Sequence, residues 1–244
     1  MQDDPIYIVS GMHRSGTSAL AGLLSRCGFA LGVEQELLQA TAHNVKGHFE
    51  HMSSLQINDT LLALAGGSWG TLPSQEQIDA VSQQSADAIR NFCRSFAGNL
   101  IKDPRFSVTL PVWHQYCPRI AAVIYCFRHP RAVALSLQKR SGFTLAKGLN
   151  LWREYNLRLI AALNQTQLPA VLVDYDHLSG HLESDLHGLL GLLGADLAMD
   201  EMRRRIEGFF EPDLNHNPVE KFASHPLPEQ VAEVYQALQA RSGM

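Results

Sequence analysis

Long apolar runs are missing from this sequence. The clearest one, IAAVIYCF at 120–127, falls far short of the ~20 residues that a membrane-spanning helix needs, so no membrane span is expected. The start, MQDDPIYIVSG, has neither the basic opening nor the apolar stretch of a secretory leader, which argues for a soluble, cytoplasmic protein. Cysteine is scarce: Cys27, Cys93, Cys117 and Cys126 form no C-x-x-C, and three of them lie in apolar periodic stretches. All four are expected to be reduced core residues, in keeping with a cytoplasmic setting. A surplus of positive charge is also absent. The formal net charge is -4, so no general field attracts nucleic acid, and an anionic ligand must be held by cations placed locally. Eleven histidines raise the question of a metal. His48 and His51, the closest pair in loop-like sequence, flank Glu50 at a spacing that is not H-E-x-x-H, and no third ligand accompanies them, so no metal is expected.

What is present reads as one α/β domain over 1–244. Hydrophobic residues at 45% and charged residues at 18% suit a core-forming chain, with no linker, repeat or low-complexity tract to divide it. IYIVS at 6–10 is a short buried strand, followed by a glycine-bearing loop and by TSALAGLLSRCG, in which Leu20, Leu23, Leu24 and Cys27 recur at helical spacing. Residues 29–53 look irregular. Helices are expected at about 54–65 and 75–96, the second with Ile78, Val81, Ile89, Phe92 and Phe96 on one stripe. NLIKDP is a brief strand, SVTLPVWHQYC a helix despite Pro111, and IAAVIYCF, apolar on both faces, a central parallel strand. RHPRAVALSLQKR and LNLWREYNLRLIAAL are helical, PAVLVDY at 169–175 is a further strand, and helices fill about 182–193, 199–210 and 227–241. The alternation predicts a three-layer sandwich, with a mostly parallel central sheet between helices, of the P-loop-containing nucleotide-binding kind.

The chemistry concentrates in GMHRSGTSAL at 11–20. The nucleotide-triphosphatase loop reads G-x-x-x-x-G-K-[ST]. Gly11 and Gly16 have its spacing and Ser18 its terminal hydroxyl, but Thr17 replaces the lysine and the positive charge stands earlier, at Arg14. A glycine turn feeding a helix aims backbone N–H groups at one point, where the helix dipole adds positive character. Thr17 and Ser18 place hydroxyls in the first turn, and His13 and Ser15 complete the loop. The absent lysine argues against magnesium-dependent ATP chemistry, as does a central strand that ends in Arg128 where an aspartate would hold magnesium. An arginine there points to a ligand with an additional anionic group.

GMHRSGTSAL, KDPR at 102–105 and FRHPRAVALSLQKR at 127–140 together resemble the sulfotransferases that use 3′-phosphoadenosine-5′-phosphosulfate. The resemblance is to the arginine-type bacterial branch, with similarity to tyrosylprotein sulfotransferases, and covers roughly residues 6–176. It implies that Gly11, His13, Arg14, Ser15, Gly16, Thr17 and Ser18 hold the 5′-phosphosulfate, and that Arg128 and Ser136, eight residues apart in an R-x-x-x-x-x-x-x-S element, hold the 3′-phosphate. It further implies in-line sulfuryl transfer to a hydroxyl or amine of a small-molecule, carbohydrate or lipid acceptor. That reaction leaves 3′,5′-adenosine bisphosphate and needs no metal.

Arg14 is a candidate catalytic cation, acting on charge that develops at the bridging oxygen, and the likeness of Lys102, Asp103 and Pro104 to the K-D-P segment of tyrosylprotein sulfotransferases implies Lys102 as the second. For the general base the resemblance implies Glu50 in KGHFEH and Glu34 nearly equally, with a histidine third. The R-K-G segment that closes the nucleotide site in cytosolic relatives is absent, and Lys221 is its only candidate substitute. A P-loop nucleotide kinase and a non-catalytic phosphoadenosine-binding domain are the competing readings. The acceptor and the oligomeric state are not legible in the residues.

Overall fold

The structure, a computed structural model, describes residues 4–41, 46–209, 219–222 and 225–242. Part of the polar segment at 212–228 therefore lies outside the described residues. Strands β1 (Ile6–Ser10), β2 (Leu100–Lys102), β3 (Ile120–Phe127) and β4 (Ala170–Asp174) form one sheet in the order β2-β1-β3-β4, and each neighbouring pair is parallel. Period-2 alternation feeds two cores. Val123, Tyr125 and Phe127 of β3 enter one, while Ile124 and Cys126 enter the other.

Helices cover both faces, as the three-layer expectation requires. Helix α1 (Thr17–Arg26) lies on one side with α7 (Tyr175–Gly180), α8 (Leu182–Leu192) and α9 (Met199–Ile206). On the other lie α2 (Met52–Leu64), α3 (Gln75–Ser95), α4 (Phe106–Tyr116), α5 (Pro130–Ser141), α6 (Leu145–Thr166) and α10 (Glu229–Gln239). No described helix is long and apolar enough to cross a membrane.

The strand order decides where the site falls. From β1 the chain moves outward to β2, then returns to place β3 on β1's other flank. The crevice at the carboxyl ends of β1 and β3 is thus a topological switch point, where open parallel sheets bind ligands. The loop at 11–16 leaves β1 there, Asp103 follows β2, and Arg128 follows β3.

Local chemistry explains where the elements depart from expectation. Helix α2 begins at Met52 because His51 Nδ1 caps it, accepting from Ser53 N–H at 3.2 Å. Helix α7 starts directly after β4 because the Asp174 carboxylate accepts from Asp176 N–H at 3.0 Å; its six residues are too few to show a period in the sequence. Helix α4 tolerates Pro111, which forgoes a bond to the Ser107 carbonyl. A buried amide ties α4 to α2 and to the end of β2: Asn58 Nδ2 donates to Asp103 Oδ2 at 2.9 Å, and Asn58 Oδ1 accepts from Thr109 at 2.8 Å and Trp113 at 2.7 Å.

The cysteines require a correction. Cys27 and Cys126 are buried free thiols, but Cys93 and Cys117 form a disulfide, with Cα atoms 5.7 Å apart. Both have the apolar surroundings expected of core residues. Only the packing of α3 against α4 reveals that they meet. Cytoplasmic placement, argued in part from reduced cysteines, loses that support, since such bonds persist in oxidising surroundings.

A peptide map of the unreduced protein should show Cys93 joined to Cys117, with Cys27 and Cys126 labelled only after unfolding. Reduction should lower the unfolding free energy by about 2–4 kcal/mol. Four alkylatable thiols in unreduced, denatured protein would show that the bond does not form.

Candidate active site

The loop after β1 is built by close approach. Gly11 has φ 142°, and a Cβ there would lie 1.9 Å from the Cys126 carbonyl oxygen on β3. Gly16, with φ 93°, begins α1, and a Cβ on it would lie 2.1 Å from the Tyr175 ring. Both glycines thus answer to the protein's own packing as well as to the loop's turn. Arg14 lies between them at φ 71°, a left-handed conformation that a non-glycine residue adopts at a cost.

No side chain caps the start of α1, and its first turn carries no acid. Its leading N–H groups have no intrahelical acceptor, and the dipole makes this end positive. The Ser15 hydroxyl is buried beside them with no hydrogen-bond partner among the described residues. Thr17 is buried, while Ser18 donates to the His48 carbonyl at 3.3 Å.

The two distant motifs meet in one hydrogen bond. Arg14 Nε donates to Ser136 Oγ on α5 at 2.9 Å. Arg128, only 8% exposed, donates from Nε to Asp176 Oδ1 at 3.1 Å, and its guanidinium lies 5.2 Å from the Tyr175 ring centroid. Asp176 also accepts from His129 N–H at 3.0 Å, while His129 Nδ1 accepts from Arg131 N–H and so serves as the cap of α5.

Arg140, one turn beyond Ser136, stacks on Trp69 at 4.9 Å, and Trp69 packs on His13 at 4.7 Å. Burial, then repulsion from Arg140 and Arg128, lowers the Arg14 pKa from its ordinary value. Burial, followed by Arg105, Arg140, Lys102 and Arg14, holds His13 well below the usual histidine range, so its imidazole is neutral. The buried Nε2 of His13 has no partner among the described residues. This side of the site is a cluster of cations held close together, which an anion would relieve.

The other side is balanced. Lys102, 2% exposed at the end of β2, donates to Glu50 Oε1 at 2.6 Å, Ser18 Oγ at 3.1 Å and the His48 carbonyl at 3.1 Å. The chain presents both acceptors by turning through Gly47 at φ 105° and Phe49 at φ 57°. Arg105 Nη1 lies 3.6 Å from Glu50 Oε2 and 2.9 Å from Asp103 Oδ1. Burial pushes the Glu50 pKa up, but Lys102 and Arg105 outweigh it and hold the carboxyl below the usual range. For Asp103 burial wins and the pKa rises, despite Arg105 and Asn58.

The structure therefore gathers Arg14, Ser136, Ser18, Lys102 and Glu50 around one loop. Glu34 stands exposed on the 3-10 turn Glu34–Glu36, and its side chain has no hydrogen bond or ion pair among the described residues. Its neighbour Glu36 pairs with His51 Nε2 at 3.1 Å, and Lys221 is exposed on the 3-10 turn Val219–Phe222. Sequence reasoning missed Asp176 and Tyr175, although DYDH directly after a strand places them at a carboxyl end. Arg140, four residues after Ser136, stands on the same helix face.

No family model matches the chain, and no curated protein matches it. Solved structures do. The sulfotransferase domain from the curacin biosynthetic pathway is 16% identical, with 97% of this chain and 98% of that chain covered and a TM-score of 0.54. The sulfotransferase domain of the Synechococcus PCC 7002 olefin synthase is 19% identical, with 97% and 94% covered and a TM-score of 0.53. A sulfotransferase from Mycobacterium tuberculosis H37Rv is 16% identical, with 96% and 77% covered and a TM-score of 0.50. The chain has the fold of the sulfotransferases, a P-loop-containing α/β sandwich.

Replacing Glu50 by Gln leaves Lys102 buried without its carboxylate, and should cost about 3–5 kcal/mol at neutral pH. The Glu50 pKa is depressed by folding, so its stabilisation is present above the unfolded value and is lost as pH falls through the folded one. Asp103, with its raised value, acts in the opposite sense. Urea unfolding of wild type and Glu50→Gln across pH should give a gap that narrows below about pH 4.3. A gap independent of pH would contradict the ion pair.

Proposed function

We propose that this chain is a sulfotransferase that moves a sulfuryl group from 3′-phosphoadenosine-5′-phosphosulfate to a hydroxyl or amine of a small-molecule, carbohydrate or lipid acceptor. The observation that carries the reading is the Arg14–Ser136 hydrogen bond. It joins a phosphate-type loop to the R-x-x-x-x-x-x-x-S element within one cation-lined crevice.

The residues fit the donor. The partnerless Ser15 hydroxyl and the uncapped start of α1 offer donors for a 5′-phosphosulfate, together with Gly16, Thr17 and Ser18. Arg128, oriented by Asp176, and Ser136 are assigned to the 3′-phosphate, a group that ATP lacks. When bound, the donor supplies the sulfuryl group and a phosphate leaving group.

Arg14 and Lys102 are the cations assigned to the charge that develops on the bridging oxygen. They offer preorganised donors in a water-poor site without a metal. Glu50 is the better-placed base, because it shares Lys102 with Ser18 at the loop. While Lys102 holds it, Glu50 is a weak base. As Lys102 turns toward an incoming anion, Glu50 regains basicity and can take the acceptor's proton. The acceptor oxygen or nitrogen bonds sulfur as the bond to the bridging oxygen breaks.

One observation favours a second reading. Glu50 is already engaged by Lys102 and Arg105, which suits a domain that binds the nucleotide without turning it over.

Release of 3′,5′-adenosine bisphosphate from the donor, measured with EDTA present and a panel of hydroxyl and amine acceptors, separates the readings. Arg14→Ala should lose 10²–10³ in rate, about 3–4 kcal/mol. Glu50→Gln should lose turnover while bisphosphate binding stays within a few fold, and Glu34→Gln should change neither. Turnover that survives Glu50→Gln but fails in Glu34→Gln would move the base. Magnesium-dependent γ-phosphate transfer from ATP would overturn the proposal in favour of a kinase.

A further inference from the structure

We propose that His177, His181 and Asp185 form a surface binding site for a borderline divalent metal such as Zn²⁺, apart from the transfer site. The three residues recur at intervals of four across the junction of α7 and α8. Helical bonding continues through that junction: His181 N–H donates to the His177 carbonyl at 3.1 Å, and Asp185 N–H to the His181 carbonyl at 3.1 Å. The three side chains therefore share one face.

Their ligand atoms all lie within 4.8 Å of one another, and His177 Nε2 is 3.5 Å from Asp185 Oδ2. The two imidazoles stack at 4.2 Å with an interplanar angle of 18°. Among the described residues, no other histidine, cysteine or carboxylate trio converges in this way.

The arrangement has features of a ligand set. His181 Nδ1 lies 3.3 Å from the His177 carbonyl, and donation to that oxygen leaves Nε2 as the ring nitrogen with a lone pair for a ligand. Ser184 donates to the His181 carbonyl at 3.0 Å and its Oγ lies 3.4 Å from Asp185 Oδ1, while Asp185 Oδ2 faces His177. The nearby acid Glu183 is held by Arg203 at 2.6 Å and does not compete for the histidines.

Two imidazoles and one carboxylate suit Zn²⁺, Co²⁺, Ni²⁺ or Cu²⁺ rather than Mg²⁺ or Ca²⁺. With His177 44% exposed, water can complete a four-coordinate shell. The bland alternative is a simple His177–Asp185 ion pair with His181 stacked alongside. A metal bound here would brace α7, the helix that carries Tyr175 against Gly16 and Asp176 against Arg128.

The test is titration of EDTA-stripped full-length protein with Zn²⁺ against a chromophoric chelator, in wild type and in the His177→Asn/His181→Asn double variant. One Zn²⁺ per chain at micromolar affinity is expected, weakened at least tenfold in the double variant and also in Asp185→Asn. Co²⁺ bound to wild type should give a d–d spectrum without a thiolate charge-transfer band, and should shift the ring signals of two histidines in proton NMR. That readout needs no variant to fold. Absence of Zn²⁺ binding, binding unchanged in the double variant, or a thiolate band from Cys27 or Cys126 would overturn the proposal.

Discussion

A buried ammonium organises this molecule. Lys102 ends the short strand β2 almost wholly out of water, and an ion so placed carries a desolvation cost of several kcal/mol unless it is paired and hydrogen-bonded. Its partners come from far along the chain. The Glu50 carboxylate and the His48 carbonyl arrive on a turn that forces Phe49 into the left-handed region, and Ser18 arrives on the first turn of α1. Satisfying one cation thus fixes segment 46–51 against both the sheet and the phosphate-type loop. A second layer, Asp103 with Arg105 and Asn58, ties the same strand end to α2 and α4.

The two sides of the crevice hold their cations differently. On the β2 side every cation has its acid: Lys102 and Arg105 meet Glu50, Asp103 and Asp59. On the β1 and β3 side burial, then the neighbouring Arg140 and Arg128, lower Arg14's basicity, and Asp176 bonds Arg128. In a chain with a net charge of -4, three guanidiniums stand together near the start of α1, an end at which helix dipoles favour anions. From β2, the Lys102 ammonium also reaches Ser18, the last residue of the loop pattern, at 3.1 Å.

Much of this was legible in the residues. The four strands and the glycine turn between β1 and α1 follow from apolar runs, punctuation and motif spacing; that Ser136 meets Arg14 while Arg128 meets Asp176 does not. What escaped depends on contacts between segments that no local pattern links. Gly16 reads as an opening for a ligand, yet the Tyr175 ring fills the space beside it. Cys93 and Cys117 read as separate core thiols until α3 and α4 pack together. Glu34 and Glu50 are equal as sequence, and only the turn through Phe49 brings one of them to Lys102 while the other stays exposed. Asp176 sits on a helix too short to announce itself.

The central claim is that the crevice reads two separated phosphates through two motifs. Calorimetric binding of 3′,5′-adenosine bisphosphate and of ATP, without magnesium, to wild type and Arg128→Ala tests it most directly. The account predicts tight bisphosphate binding in wild type, lost in the variant, and weak ATP binding in both. ATP binding as tight as that of the bisphosphate, and indifferent to Arg128, would contradict it.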